Sequence, residues 1–131
     1  MKRILVVEDD NSLSVLLRLI VKVQQEDWEV ISAATGMEAL AQVEQFKPDL
    51  MLLDIMMPEM DGLEVARRLH ADPRYSHQKI VVLSALNDPE TQRKAMETGV
   101  LEYWIKPISP DELREGMLRV LATDAPDVPQ P

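Results

Sequence analysis

The chain has no cysteine, which excludes disulfide frameworks, thiolate metal sites and cysteine nucleophiles and fits a reducing cytosol. It is short of base: 14 Lys and Arg stand against 23 Asp and Glu, for a formal net charge of −9. Phosphate contacts need clustered Lys and Arg, so direct nucleic-acid binding by this chain is disfavoured. Long apolar runs are missing too. Lys2 and Arg3 precede Ile4-Leu5-Val6-Val7, but that stretch meets Glu8-Asp9 at once. It is too short for a signal peptide or a membrane span.

What remains is ordinary for one folded domain: 131 residues, 46% hydrophobic and 28% charged, enough for a core without staples. Arg3–Glu8 reads as a strand rich in β-branched residues. Asp9, Asp10, Asn11 and Ser12 supply turn and cap chemistry. A helix then runs to about Gln24, with Leu13, Leu16, Leu17, Ile20 and Val23 as its expected inner stripe. Trp28–Ala33 is a second strand. Thr35 caps a helix to about Phe46, with Glu38 three residues on and Ala39, Val43 and Phe46 facing in. Leu50–Leu53, apolar throughout, reads as a third strand buried on both faces. Asp61-Gly62 opens a helix through Leu63, Ala66, Arg67 and His70 that Asp72-Pro73 ends.

Ile80–Ser84 is a fourth buried strand, and Asp88-Pro89-Glu90 starts a helix that Gly99 stops. Val100–Ile105 is the fifth strand. Lys106-Pro107 breaks it, and Ser109-Pro110 with Glu112 begins a last helix to Ala122. Strands alternating with helices predict an α/β fold, a five-stranded parallel sheet with five helices on both faces. Residues 1–122 form the domain. Residues 123–131, rich in proline, read as a tail or linker.

The polar residues at the strand ends repeat a theme. The first strand ends in Glu8-Asp9, the third in Asp54, the fourth in Ser84 and the fifth in Lys106, and in a doubly wound sheet these ends share one edge. Singly each has an ordinary reading, as a helix cap, a turn residue or a solvated lysine. Together they do not. Carboxylates about 4 Å apart repel by roughly 4 kcal/mol per pair at an effective dielectric of about 20, and a cation relieves this. Hard oxygen ligands suit Mg²⁺. Lys106 would neutralise further charge and Ser84 would donate a hydrogen bond. That set suits phosphoryl transfer, with Asp54 placed to form an aspartyl phosphate.

Four segments, Ile4-Leu5-Val6-Val7-Glu8-Asp9-Asp10, Leu50 to Asp54 continuing through Pro58 to Asp61-Gly62, Val81-Val82-Leu83-Ser84-Ala85, and Tyr103-Trp104-Ile105-Lys106-Pro107, closely resemble the receiver domain of two-component response regulators. The resemblance runs from about Lys2 to Leu121. It implies a flavodoxin-like sheet of order 2-1-3-4-5. It implies Asp54 as phosphoacceptor, fed by a histidine kinase or histidine phosphotransfer protein. Mg²⁺ would be held by Asp9, Asp54 and the Met56 backbone carbonyl, with Glu8 acting through water. Lys106 would pair with the acyl phosphate across a cis bond to Pro107.

Ser84 and Tyr103 would be the switch pair, with Tyr103 turning inward. The surface of the fourth helix, fifth strand and fifth helix would address a downstream partner, or an output domain in a longer regulator or hybrid kinase. The chain would be a cytoplasmic signalling switch rather than a turnover enzyme, with no membrane partner. Met56 and Leu86 are apolar where many relatives are polar, so slow loss of the phosphoryl group is expected. Gly99 to Glu102 and Gly116 lack the charges that winged-helix regulators use to dimerise.

A flavodoxin-like electron carrier would need a phosphate cradle where this chain has Glu8-Asp9-Asp10. An aspartyl phosphatase would want an acid in place of Met56. Trp104 reads as a packing or interface residue, and Met51, Met96 and Met117 as core or boundary filler. His70 and His77 are not expected to bind metal, and Asp61 reads as a turn and helix cap.

Overall fold

A computed structural model of the chain describes residues 1–24, 27–57 and 60–124. Pro58 and the tail prolines Pro126, Pro129 and Pro131 lie outside the described residues. The elements are β1 Arg3–Val7, α1 Asn11–Gln24, β2 Glu29–Ala33, α2 Gly36–Phe46, β3 Leu50–Leu53, α3 Gly62–Ala71, β4 Ile80–Ser84, α4 Pro89–Glu97, β5 Glu102–Ile105 and α5 Pro110–Ala122. The sheet is parallel throughout, in the order β2-β1-β3-β4-β5, which is the order expected. Strand order reverses between β1 and β3, so the crevice beyond their carboxyl ends is where such a sheet places a ligand.

Side chains alternate across the pleat and build two cores. Leu5, Val7, Met51, Leu53 and Val82 pack on one face with Val43 of α2 and Val65 and Leu69 of α3. Ile4, Val6, Leu50, Leu52, Leu83 and Trp104 pack on the other with Leu17 and Val21 of α1 and Leu113 and Met117 of α5. Every residue of β3 and β4 is buried, which is why both read as unbroken apolar runs. Tyr103 and Trp104 fall on opposite faces. Gly116 lets α5 lie against Trp104, since a Cβ there would stand 2.6 Å from the indole.

The caps follow the sequence closely. Thr35, Asp61, Asp88 and Ser109 each accept the N–H three residues on, and Ser109 with Glu112 makes a complete capping box. Glu38 instead turns its carboxylate to the N–H of Ala34.

Several expectations need correction. β1 ends at Val7, and β2 begins after Trp28. β5 begins at Glu102 because Gly99, at φ 93°, redirects the chain; Val100 is buried in the core before the ladder starts. On α1 the buried residues are Ser14, Leu17 and Val21, while Leu16 and Val23 face outward. Both faces of that helix are apolar, so periodicity fitted two stripes and the sheet selected the other phase. Arg67 on α3 is exposed and paired with Glu64 at 3.3 Å. Met96 is exposed as well, unlike Met51 and Met117.

Candidate functional site

Three strands deliver the site. β1 runs out into Glu8 and Asp9, β3 into Asp54 and β5 into Lys106. The N–H of Asp54 still donates to the Val7 carbonyl at 3.0 Å, and that of Lys106 to the Ser84 carbonyl at 2.8 Å. The ladder therefore fixes these residues one step past the strand ends. Carboxylate oxygens of Glu8, Asp9 and Asp54 lie within 4.8 Å of one another. Glu8 and Asp54 are buried and Asp9 is exposed. Lys106 Nζ donates to Glu8 Oε1 at 2.5 Å and stands 3.6 Å from Asp54 Oδ2.

Backbone groups hold Asp54 in place. Its Oδ1 accepts the N–H of Met56 at 3.1 Å. Behind it, a Cβ on Gly62 would stand 2.4 Å from the Asp54 carbonyl oxygen, so α3 can begin there only with glycine. Asp61 is spent on the N–H of Glu64 and takes no part in the cluster, as its reading as a cap required.

Burial pushes the Glu8 carboxyl up to about 7. The Lys106 hydrogen bond opposes this and the neighbouring Asp54 reinforces it. Beside the cluster, Ser84 is fully buried and its Oγ accepts the N–H of Leu86 at 3.2 Å. The Tyr103 hydroxyl donates to the Leu86 carbonyl at 2.7 Å. The ring is half-buried against the α2–α3 core, and burial raises the phenol above its usual range. Met56 stands at the mouth, 53% exposed. The Lys106–Pro107 bond is cis.

All the sequence-derived candidates thus gather at one edge. What the sequence did not reveal is that the closest partner of Lys106 is Glu8, 98 residues away. Nor did it reveal that burial raises the Glu8 carboxyl above the usual carboxylate range. The one available signal was that Glu8 continues a strand buried from Ile4 to Val7.

Chemically, the donors are hard oxygens of one sign, with no ring nitrogen or sulfur in the group, a set that fits a small divalent cation such as Mg²⁺. A cleft of about 640 Å³ lies elsewhere, between Val43, Lys47, Pro48, Arg74, Tyr75 and Gln78. At the acidic edge, the space lined by Val6, Val7, Glu8, Leu17, Leu52, Asp54 and Leu83 is too small to hold a water. His70 sits at neither place: Nδ1 lies 2.6 Å from the Thr98 carbonyl and Nε2 2.9 Å from that of Gln78. Among the described residues, no helix is long and apolar enough to cross a membrane.

Residues 4–118 match the family model described as response regulator receiver domain. The chain is 41% identical over 112 residues to the DNA-binding response regulator MtrA of Mycobacterium tuberculosis, covering 86% of this chain and 47% of that protein. It is 35% identical over 126 residues to the phosphate regulon transcriptional regulatory protein PhoB of Rhizobium meliloti, covering 96% and 55%. The chain thus spans about half the length of these curated relatives. The structure of the Vibrio cholerae chemotaxis protein CheY4 superposes with a TM-score of 0.83 at 28% identity, covering 92% of this chain and 98% of that one. Sheet order, family match and relatives agree, and the chain belongs to the response regulator receiver domains of two-component signalling.

Proposed function

We propose that Asp54 accepts a phosphoryl group from the phosphohistidine of a histidine kinase or histidine phosphotransfer protein. A carboxylate oxygen attacks phosphorus, an O–P bond forms, and the N–P bond breaks with its electron pair leaving on the imidazole. The carrying observation is the gathering of Glu8, Asp9 and Asp54 within 4.8 Å, with Lys106 3.6 Å from Asp54. Asp9, Asp54 and the Met56 carbonyl would hold Mg²⁺, with Glu8 reaching it through water. Bound there, the metal supplies charge neutralisation for the phosphoryl oxygens. Lys106 would exchange part of its contact with Glu8 for the acyl phosphate.

The readout follows from the hydrogen bonds. A phosphoryl group adds about −1.5 to −2 charges and three acceptor oxygens. Ser84 turns its hydroxyl to them and releases the N–H of Leu86. Because Tyr103 donates to the carbonyl of that same Leu86, the two side chains move together, and the α4–β5–α5 surface changes its partner preference. Residues 1–122 form the receiver and 123–131 a tail or linker. In a longer protein the change would pass to an output domain, as the lengths of MtrA and PhoB suggest. Otherwise it would act on a separate partner protein. Either would operate in the cytoplasm as a switch and not as a turnover enzyme.

The test is incubation with Mg²⁺ and acetyl phosphate, or with beryllofluoride. Wild type should gain the mass of one phosphoryl group, or shift its amide resonances, and Asp54→Asn should do neither. An equal response in both overturns the assignment. Met56 and Leu86, two residues past Asp54 and Ser84, are apolar, so the phosphoryl group should be long-lived. Met56→Asn with Leu86→Glu should shorten its half-life, and an unchanged half-life removes that role.

A further inference from the structure

The cleft of about 640 Å³ at the edge where the strands begin adjoins a second of about 300 Å³. Pro48, Arg74, Tyr75 and Gln78 border both, and the second reaches on to Lys2 and Lys79. Val43 and Pro48, both buried, give the larger cleft an apolar lining. Clefts of this size, apolar with a few polar groups, are where proteins hold small ligands. The wall is set in advance by hydrogen bonds. Gln78 Nε2 donates to the Pro48 carbonyl at 3.1 Å, and the N–H groups of Tyr75 and Gln78 donate to the carbonyls of Asp72 and Tyr75 at 2.9 and 3.0 Å.

This edge is basic in an acidic chain. Lys2, Lys47, Arg74 and Lys79 border the two clefts against Glu44 and Asp49, where the whole chain carries −9. Lys79 is spent on three carbonyls of the α5 end. Asp72 takes Nε and Nη2 of Arg74 and leaves Nη1 without an acceptor among the described residues. The ammonium groups of Lys2 and Lys47 have no partner among those residues either. Lys47 also ends α2 at φ 53°, a left-handed conformation that glycine adopts freely and lysine does not. Residues held in that way cluster at ligand sites. The flat surface comes from Tyr75, whose ring centre lies 5.0 Å from the Arg74 guanidinium carbon. Aromatic rings and guanidinium planes are what nucleobases stack on.

We propose that these adjoining clefts bind a nucleoside monophosphate. The base lies on the stack of Arg74 and Tyr75 beside Val43 and Pro48, and the phosphate meets the Lys47 ammonium, with Lys2 and Arg74 Nη1 adding to the positive field. Size and charge select this ligand. A free phosphate would leave the apolar lining uncovered. A polyphosphate would bring more charge than two unmatched ammonium groups offset beside Glu44. The site lies at the opposite edge of the sheet from Asp54, and failure at either leaves the other standing.

The full chain, labelled with ¹⁵N and kept free of Mg²⁺, is titrated with AMP, GMP, CMP and UMP in turn. The controls are the matching nucleosides, ribose 5-phosphate and inorganic phosphate. At least one nucleotide should give saturable shifts of the Lys47, Tyr75 and Gln78 amides and leave those of Asp54 and Lys106 in place. Its nucleoside, ribose 5-phosphate and phosphate should each bind at least roughly tenfold more weakly. Lys47→Gly removes the charge and relieves the backbone, so its urea midpoint should rise while nucleotide affinity falls roughly tenfold. Lys47→Asn, which also tolerates the left-handed conformation, replaces it if Lys47→Gly does not fold. Arg74→Ala should lower the affinity by a similar factor. The absence of saturable shifts with all four nucleotides, shifts centred on Asp54, or undiminished affinity in either variant overturns the inference. So does phosphate binding as tightly as the nucleotide, since the cleft would then be an anion site without use for a base.

Discussion

At the edge where the strands begin, Arg74 grips Asp72 at 2.9 Å and Arg3 lies 3.5 Å from Glu29. Lys79 Nζ donates to the carbonyls of Val120, Leu121 and Thr123 at the end of α5, where a cation is favoured. These charges are each matched locally and mostly wet. At the edge where the strands end, Glu8 and Asp54 are buried beside each other and share Lys106. One sheet therefore places charge in two ways. Where a side chain can reach a partner in solvent, electrostatics is nearly neutral for stability. Where the ladder forces carboxylates together out of water, they retain unmet attraction for a cation or proton, and that is usable for chemistry.

The largest effect is expected on removing the shared cation. Lys106→Met leaves Glu8 and Asp54 facing each other without compensation, and breaking a buried pair costs on the order of 3 kcal/mol. Urea unfolding at pH 8 should show a loss of that size, and at pH 5 a smaller one, because Glu8 can then take a proton. Equal losses at both values would mean that Lys106 acts through packing alone, and the contrast between the edges would lose its basis.

Backbone space comes next. Gly62→Ala puts a Cβ 2.4 Å from the Asp54 carbonyl oxygen, and backbone cannot yield as a flexible side chain does. Overpacking of this kind costs about 2 kcal/mol, and it should also displace the Asp54 backbone amide resonance. A stable variant with an unmoved Asp54 signal would show that the acidic edge is looser than its contacts imply.

Much of this molecule was legible before its structure. Leu50–Leu53 and Ile80–Ser84 announced themselves because a strand buried on both faces has no polar phase to hide in. Thr35, Asp61, Asp88 and Ser109 were readable because capping is local chemistry. The candidate site followed from one rule, that strand ends converge. The phase of α1 was not legible, since Leu16 and Val23 are as apolar as Leu17 and Val21 and only the sheet decides between them. Val100 looked like strand for the same reason, being apolar and buried yet outside the ladder. The grip of Lys106 on Glu8 depends on the reach of a flexible side chain, and sequence spacing does not encode that.

The Glu8 carboxyl gives a pH test of the same comparison. Its pKa is raised in the folded state, to about 7 from an ordinary 4.5. The folded protein thus binds this proton more tightly than the unfolded chain. Its contribution to stability is full below about pH 4.5 and is lost as pH rises through about 7. Without divalent ions, the urea midpoint of wild type should fall between pH 5 and 8 more than that of Glu8→Gln. Adding Mg²⁺ at pH 8 should raise the wild-type midpoint, since a cation relieves the ionised cluster. Parallel pH profiles for the two proteins would mean that Glu8 is no more strained than the acids of the other edge.

The smallest effect belongs to the opposite edge. Asp72 is held below its usual range chiefly by the Arg74 side chain, so its contribution is present at neutral pH and lost as pH falls through the folded value. Yet both side chains are in water, and screened pairs of this kind add little. The backbone N–H of Arg74 also donates to Asp72 Oδ1 at 2.9 Å, and that bond survives Arg74→Ala. The urea midpoint of Arg74→Ala should therefore stay within the scatter of repeat titrations at pH 7, in low salt or high. A clear, salt-dependent loss would show that charge at this edge is as strongly coupled to the fold as at the other. The distinction between the edges would then rest on which residue types are present and not on how the sheet buries them.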